Sequence, residues 1–144
     1  MSENTRILSF AFRFLSRRDF SKRELEEKLK EKYGKREVEE VIRYLEKKGL
    51  IDDKRLAKKI MDKYMEKGKG YYYITGELKR RKIDEKVIDE VMDNFDFERE
   101  FRNGERYFLQ NRGKKDISSI FLALKSRGYS EKTIERIGEK YGKQ

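Results

Sequence analysis

The chain has no cysteine, no histidine and no proline. Without cysteine there is no disulfide framework and no thiolate chemistry. Without histidine it lacks the commonest general base and the commonest transition-metal ligand. Without proline nothing in the chain interrupts a helix. Long apolar runs are missing too: none approaches a membrane span, and the start Met-Ser-Glu-Asn-Thr has no signal-peptide pattern. The expectation is a soluble, cytoplasmic protein that makes no membrane contact. Catalytic signals are equally scarce. Asp52-Asp53 reads as a helix cap, Glu39-Glu40 as a solvated pair, and no nucleophile has a base beside it. No enzyme, no metal and no cofactor are expected.

What is present is charge. Hydrophobic residues make up 35% of the 144 and charged residues 46%, a balance close to that of disordered chains. Periodicity argues for order, because nearly every apolar residue falls at helical spacing and few β-branched runs suggest strands. The fold class is therefore all-α. A chain of this length holds one ordinary domain, or three small modules too short to be stable apart.

A repeat favours the modules. Leu29, Leu78 and Leu124 lie 49 and 46 residues apart, and each is followed by Lys. Nine residues after each stands a β-branched residue (Val38, Val87, Thr133), and thirteen after it another (Ile42, Val91, Ile137). Such a period belongs to stacked helical units that share a core with their neighbours. Three tandem three-helix modules are predicted, at 1–48, 49–96 and 97–144, stacked one on the next. Arrays of this kind present surfaces rather than deep pockets, which points to binding.

Helix starts are marked independently. Ser21 and Glu24 form a capping-box pattern, with Phe20 and Leu25 at the staple positions around it. The staple recurs at Ile51-Asp52 with Leu56, Ile83-Asp84 with Ile88, and Tyr129-Ser130 with Ile134. Helices are predicted at 5–17, 22–33, 36–47, 53–67, 72–82, 85–95, 97–112, 117–127 and 131–141. Gly49, Gly113 and Gly128 stand just past helix ends, where a left-handed residue is needed. Spacing assigns to the core Ile7, Ala11, Phe14 and Leu15; Val38, Val41, Ile42 and Leu45; Leu56, Ile60, Met61 and Tyr64; Phe97, Phe101 and Phe108; and Ile117, Ile120, Phe121 and Leu124. Phe10 and Phe12 leave the first helix apolar nearly all round, either to bury against the next helix or to offer an edge to a protein partner.

The net charge of +10 suits a polyanion or an acidic protein surface. Between Lys54 and Lys82 eleven basic residues face three acidic ones, a net of +8, whereas residues 83–97 carry −5. Arg55, Lys59, Lys63 and Lys67 recur every fourth residue, a stripe along one helix; Lys79, Arg80, Arg81 and Lys82 cluster at the end of the next. Either this is a solvated face laced with pairs such as Lys59 with Asp62, or it is a binding surface; the cluster at Lys79–Lys82 favours binding. Between the two helices runs Lys67-Gly-Lys69-Gly-Tyr71-Tyr72-Tyr73, which is not a phosphate-binding loop of the Gly-Lys-Ser/Thr type. Three consecutive tyrosines cannot all point inward on a helix. An exposed one beside Lys69 can stack on a base or anchor a protein contact, or can simply be solvated.

Gly49-Leu-Ile-Asp-Asp53 with Leu56-Ala57, then Lys69-Gly70, Ile74, Glu77-Leu78 and Ile83-Asp84, resembles the signature of the bacterial RecX regulatory proteins. The apolar first helix with Arg17-Arg18, Ser21, Glu24-Leu25 and Leu29 is similar to the opening of that family. The pieces occur in order over residues 6–95, and the third module matches in pattern alone. Three departures stand out: Leu56 for the usual Phe, Lys82 for the usual Gly, and Tyr72 and Tyr73 where basic residues are common. The resemblance implies tandem three-helix modules stacked into an elongated, curved array. It also implies a monomer that binds the RecA recombinase filament, in its groove or at its growing end, with contact to single- and double-stranded DNA. Lower ATPase, strand-exchange and coprotease activity would follow, within DNA repair, homologous recombination and the SOS response. The residues expected to make the contact are Arg55, Lys59, Lys63, Lys67, Lys69, Tyr72, Tyr73, Lys79, Arg80 and Arg81. The alternative is a stand-alone helical DNA-binding protein.

Overall fold

The structure, a computed structural model, describes residues 2–142. Among them are nine α-helices and no strand: α1 (Glu3–Leu15), α2 (Lys22–Lys30), α3 (Lys35–Lys47), α4 (Asp53–Glu66), α5 (Tyr71–Arg80), α6 (Glu85–Met92), α7 (Phe97–Asn111), α8 (Ile117–Ser126) and α9 (Glu131–Tyr141). The expected all-α class is what is found. The helices start where capping chemistry says they should. Ser21 and Glu24 form the reciprocal box, Ser130 accepts from the Thr133 N–H, and Asp52 accepts from the Arg55 N–H at 3.1 Å. Ser2, Asp96 and Asp116 cap α1, α7 and α8 in the same way. The α2 and α6 helices stop three residues earlier than predicted. Their last turns tighten into i→i−3 bonds, from Lys32 N–H to Leu29 O and from Phe95 N–H to Met92 O.

Left-handed backbone occurs at Gly49 (φ 73°) and Gly128 (φ 84°), as read from the sequence, but not at Gly113. Gly68 (φ 75°) takes that conformation instead, and so does one residue with a side chain, Lys82 (φ 58°). Lys82 is the position where the RecX pattern has glycine.

The chain divides into two compact units, residues 1–58 with 78–89, and residues 59–77 with 90–144. In the first, Ile7, Ala11, Phe20, Leu25, Leu29, Val38, Val41, Ile42, Leu45 and Ile51 make one apolar core among α1, α2 and α3. Phe10 is half-buried against it, edge-on to Phe14 and Tyr33 at 5.1 and 5.9 Å. Phe12 is 43% exposed, so the two aromatics divide between the two readings.

In the second unit Phe101, Phe108, Ile120, Leu124, Tyr129 and Ile137 form the core among α7, α8 and α9. Ile117 does not join it: this expected core residue is 38% exposed. It is the first residue of α8, ahead of the turn that packs. That helix is apolar on several faces, so spacing alone does not say which one turns inward; Leu122, on the same helix, is 67% exposed. Leu29, Leu78 and Leu124, the leucines of the repeat, are all fully buried.

Glu100 organises the second unit. It is fully buried, and its carboxylate accepts from the Tyr71 N–H (2.7 Å), the Ser130 N–H (3.2 Å), the Ser130 hydroxyl (2.6 Å) and the Thr133 hydroxyl. Two helix N-termini, those of α5 and α9, thereby share one carboxylate, the placement that the helix dipole favours for an acid. Next to it, the N–H groups of Gly70 and Tyr72 donate to the carbonyls of Arg127 (3.0 Å) and Gly128 (2.8 Å). A Cβ on Gly128 would lie 2.3 Å from the Tyr73 nitrogen, and one on Gly70 would lie 2.5 Å from the Tyr129 backbone. Both glycines are there because backbone meets backbone. The Tyr129 hydroxyl donates to Gly68 O at 2.6 Å, and burial, with the Glu100 charge, pushes this phenol up to about 12. These bonds fix the residue 67–73 connection.

Candidate nucleic-acid interface

Six of the ten expected contact residues belong to the second unit. Lys59, Lys63 and Lys67 are exposed, Lys69 and Tyr73 are half-buried, and Tyr72 is 51% exposed. Their organising residue is one that the sequence placed in the core, Tyr64. Its ring lies 5.3 Å from that of Tyr73, with the Lys63 ammonium 5.3 Å and the Lys67 ammonium 5.5 Å from its centroid. The Lys69 ammonium sits 4.8 Å over Tyr73. Three cations are thus gathered on two rings whose negative faces attract them. The Tyr64 hydroxyl donates to Glu77 at 3.2 Å, which holds the pair in place.

The three tyrosines separate as helical geometry requires. Tyr71 packs among Phe95 and Phe97 at 5.2 and 5.7 Å, and Tyr73 joins the lysine cluster. Tyr72 is the solvent-facing one; its hydroxyl donates to Glu131 at 2.9 Å, and this bond, with the Glu131 charge, raises its pKa. The glycine connection offers no backbone cradle. The N–H groups of Gly68, Lys69 and Gly70 already donate to Met65 O, Tyr64 O and Arg127 O at 2.9–3.0 Å. Whatever binds here meets side chains.

The other four, Arg55, Lys79, Arg80 and Arg81, belong to the first unit. Arg55, Lys79 and Arg80 are exposed; Arg55 donates to Gly49 O at 3.1 Å, which closes the turn before α4. Arg81 differs from the rest. Its Nε and Nη2 donate to the two oxygens of Glu24 at 3.0 and 3.3 Å, and Nη2 also reaches Asp19 O at 2.8 Å. Its side chain is 20% exposed and clamps the end of α5 to the start of α2. Burial works against the Glu24 carboxylate, yet the Arg81 bond, the Ser21 N–H and the charges of Arg81 and Arg18 outweigh it, so the pKa is lowered. Lys82 pairs with Glu27. Two charges of the basic cluster are therefore matched by carboxylates 55 and 57 residues upstream. Asp62 pairs with Arg99 at 3.9 Å, and Lys22 N–H donates to Asp53 at 2.8 Å.

Among the described residues no three acidic groups cluster as metal ligands, and no helix is long and apolar enough to cross a membrane. Residues 8–49 match the family described as RecX, first three-helix domain. The chain is 35% identical over 85 residues to a protein of Halorhodospira halophila named regulatory protein RecX, and it spans about half of that protein (53%). It is 31% identical over 126 residues to the regulatory protein RecX of Vibrio campbellii, across 83% of this chain and 81% of that one. In fold it is similar to the crystal structure of RecX from Lactobacillus salivarius, with a TM-score of 0.85 over 98% of this chain and 97% of that chain, at 19% identity. On the match to the Vibrio campbellii protein, the chain belongs to the RecX family.

Proposed function

We propose that this RecX-family chain regulates the RecA recombinase by binding the RecA–DNA filament, in its groove or at its growing end. The consequence is lower ATPase, strand-exchange and coprotease activity. The observation that carries the reading is the identity to a named RecX regulatory protein over 126 residues. The basic surface supports it, because a filament offers both phosphates and acidic protein. Lys59, Lys63, Lys67 and Lys69, with Tyr72 and the Tyr64–Tyr73 pair, supply cations and one exposed ring for single- or double-stranded DNA. Arg55, Lys79 and Arg80 supply further exposed cations. Arg81 serves the fold and contributes to contact only through the helix end that it holds.

The test is a titration against recombinase ATPase on single-stranded DNA. Inhibition is expected well below one copy per recombinase, since blocking an end or spanning several subunits removes more than one active site. If the protein binds naked DNA fully and leaves the ATPase unchanged at every ratio, it is a stand-alone DNA-binding protein and the reading is wrong.

A further inference from the structure

The residues expected to meet nucleic acid all lie between Arg55 and Arg81, yet the second unit carries a further basic stretch beyond them. Residues 101–128 hold seven basic residues against two acidic ones, a net of +5. Both acids are engaged: Glu105 accepts from Lys140 and Tyr141 at 2.6 and 2.7 Å, and Asp116 caps α8. Arg127, at the end of α8, is half-buried, with its guanidinium 4.4 Å over the Tyr107 ring of α7. The exposed Lys115 donates to the hydroxyl of the same ring at 3.4 Å. Among the described residues neither Arg127 nor Lys115 is in an ion pair, and the Arg127 guanidinium meets no acceptor. A planar fork of N–H donors, held flat on a ring and left without an oxygen, is suited to an anion.

Backbone bonds join this stretch to the lysine–tyrosine cluster. The Gly70 N–H donates to Arg127 O at 3.0 Å and the Tyr72 N–H to Gly128 O at 2.8 Å. The chain that carries the Lys69–Tyr73 pair is thereby held against the chain that carries Arg127, all within the second unit. Burial and the Glu100 charge push the Tyr129 phenol up, and the charges of Arg127 and Arg106 work against them. Both guanidiniums therefore lie near the hydroxyl that donates to Gly68 O. Two neighbouring pairs of cation and ring suit a single strand, which offers phosphates to the cations and unpaired bases to the flat faces. An acidic protein surface would use the cations and leave the rings without a role.

We propose that the surface of Lys69 and Tyr73 continues onto α7 and α8, where Arg127 and Lys115 hold phosphates of a single strand and the Arg127–Tyr107 stack takes an unpaired base. The proposal rests on the function above only in taking nucleic acid as the partner. It is tested without recombinase, so the two fail separately. Binding of a fluorescent oligothymidylate to the full chain is followed by anisotropy across a salt series. Arg127→Ala is expected to weaken binding at least about threefold more than Arg43→Ala, which removes an exposed cation from α3. It is also expected to lower the salt slope by about 0.7, the share of one phosphate on a single strand. Arg127→Lys keeps the charge and loses the planar stack, so it is expected to restore the slope and only part of the affinity. Circular dichroism of both variants is expected to overlay the parent. In the parent, an oligothymidylate carrying 5-iodouracil is expected to crosslink under ultraviolet light to the peptide that contains Tyr107. Equal losses from Arg127→Ala and Arg43→Ala, or crosslinks confined to residues before 82, overturn the proposal. If Arg127→Ala weakens binding of polyglutamate as much as that of oligothymidylate, the site takes acidic protein and the single-strand assignment is wrong.

Discussion

Glu100 and Glu24 each tie together stretches of chain that are far apart in sequence. Glu100 has no exposed surface and gathers four donors from two stretches of chain. Removing it leaves two N–H groups and two hydroxyls buried without an acceptor, each costing about 1–3 kcal/mol. Glu100→Ala is expected to lose at least about 3 kcal/mol in urea unfolding. Glu100→Gln, which keeps one acceptor oxygen, is expected to lose less. Equal losses would mean that neither volume nor a single acceptor oxygen matters at this site, and that the full carboxylate does. Glu24 acts through its charge instead. Its pKa is lowered in the folded protein, so its contribution is present above the ordinary carboxylate range and is lost as pH falls through the lowered value. Asp53 opposes it, because burial raises its pKa and acid then favours the folded state. The stability gap between the parent and Glu24→Gln is therefore expected to be full at neutral pH and to shrink as pH falls through and below the usual carboxylate range. Urea midpoints from pH 7 to pH 3 measure it, and a gap independent of pH would remove the charge argument.

At the scale of elements, the helices were legible because their determinants are local. Phe20, Ser21, Glu24 and Leu25 lie within six residues, and so do Tyr129, Ser130 and Ile134; both sets do what their spacing predicts. The hidden parts have distant partners. Glu100 sits in the first turn of α7 as an ordinary helix-start acid, and only the fold brings Ser130 and Thr133 to it across 30 and 33 residues. Arg81 reads as one of four surface cations until Glu24 arrives from 57 residues away. Spacing alone assigns Tyr64 to the core, and its role in gathering Lys63, Lys67 and Tyr73 depends on α5 folding back beside α4. The glycines divide in the same manner. Gly76, inside α5, would meet nothing within 4 Å if it carried a Cβ, and its backbone is not left-handed. Gly76→Ala is expected to stabilise by about 0.5–1 kcal/mol, because alanine loses less freedom in a helix. Gly128→Ala places a Cβ against Tyr73 in a left-handed backbone and is expected to cost more than about 2 kcal/mol. A lower melting temperature for Gly76→Ala would contradict the first assignment, and a higher one for Gly128→Ala the second.

For the whole molecule the question is whether net charge or its placement drives association. A chain at +10 is attracted to any polyanion, and counterion release makes that attraction strongly salt-dependent. Placement adds to it only where cations are held together and left exposed, as Lys63 and Lys67 are by the Tyr64 ring and as Lys79 is at the end of α5. Arg81 is excluded from this test, since reversing it would set a second carboxylate against Glu24 and damage the fold. Lys63, Lys67 and Lys79 changed together to Glu remove none of the buried core, and all three positions keep good helix formers. The matched variant changes Arg6, Arg43 and Lys47 of α1 and α3 to Glu, which lowers the net charge from +10 by the same amount. The first variant is expected to bind the recombinase filament at least about tenfold more weakly than the matched one, roughly 1.4 kcal/mol, with a shallower salt dependence. Circular dichroism of both should overlay the parent. If the two variants bind alike, attraction is set by the sum of charges, and the lysines gathered on the Tyr64–Tyr73 pair are a solvated surface.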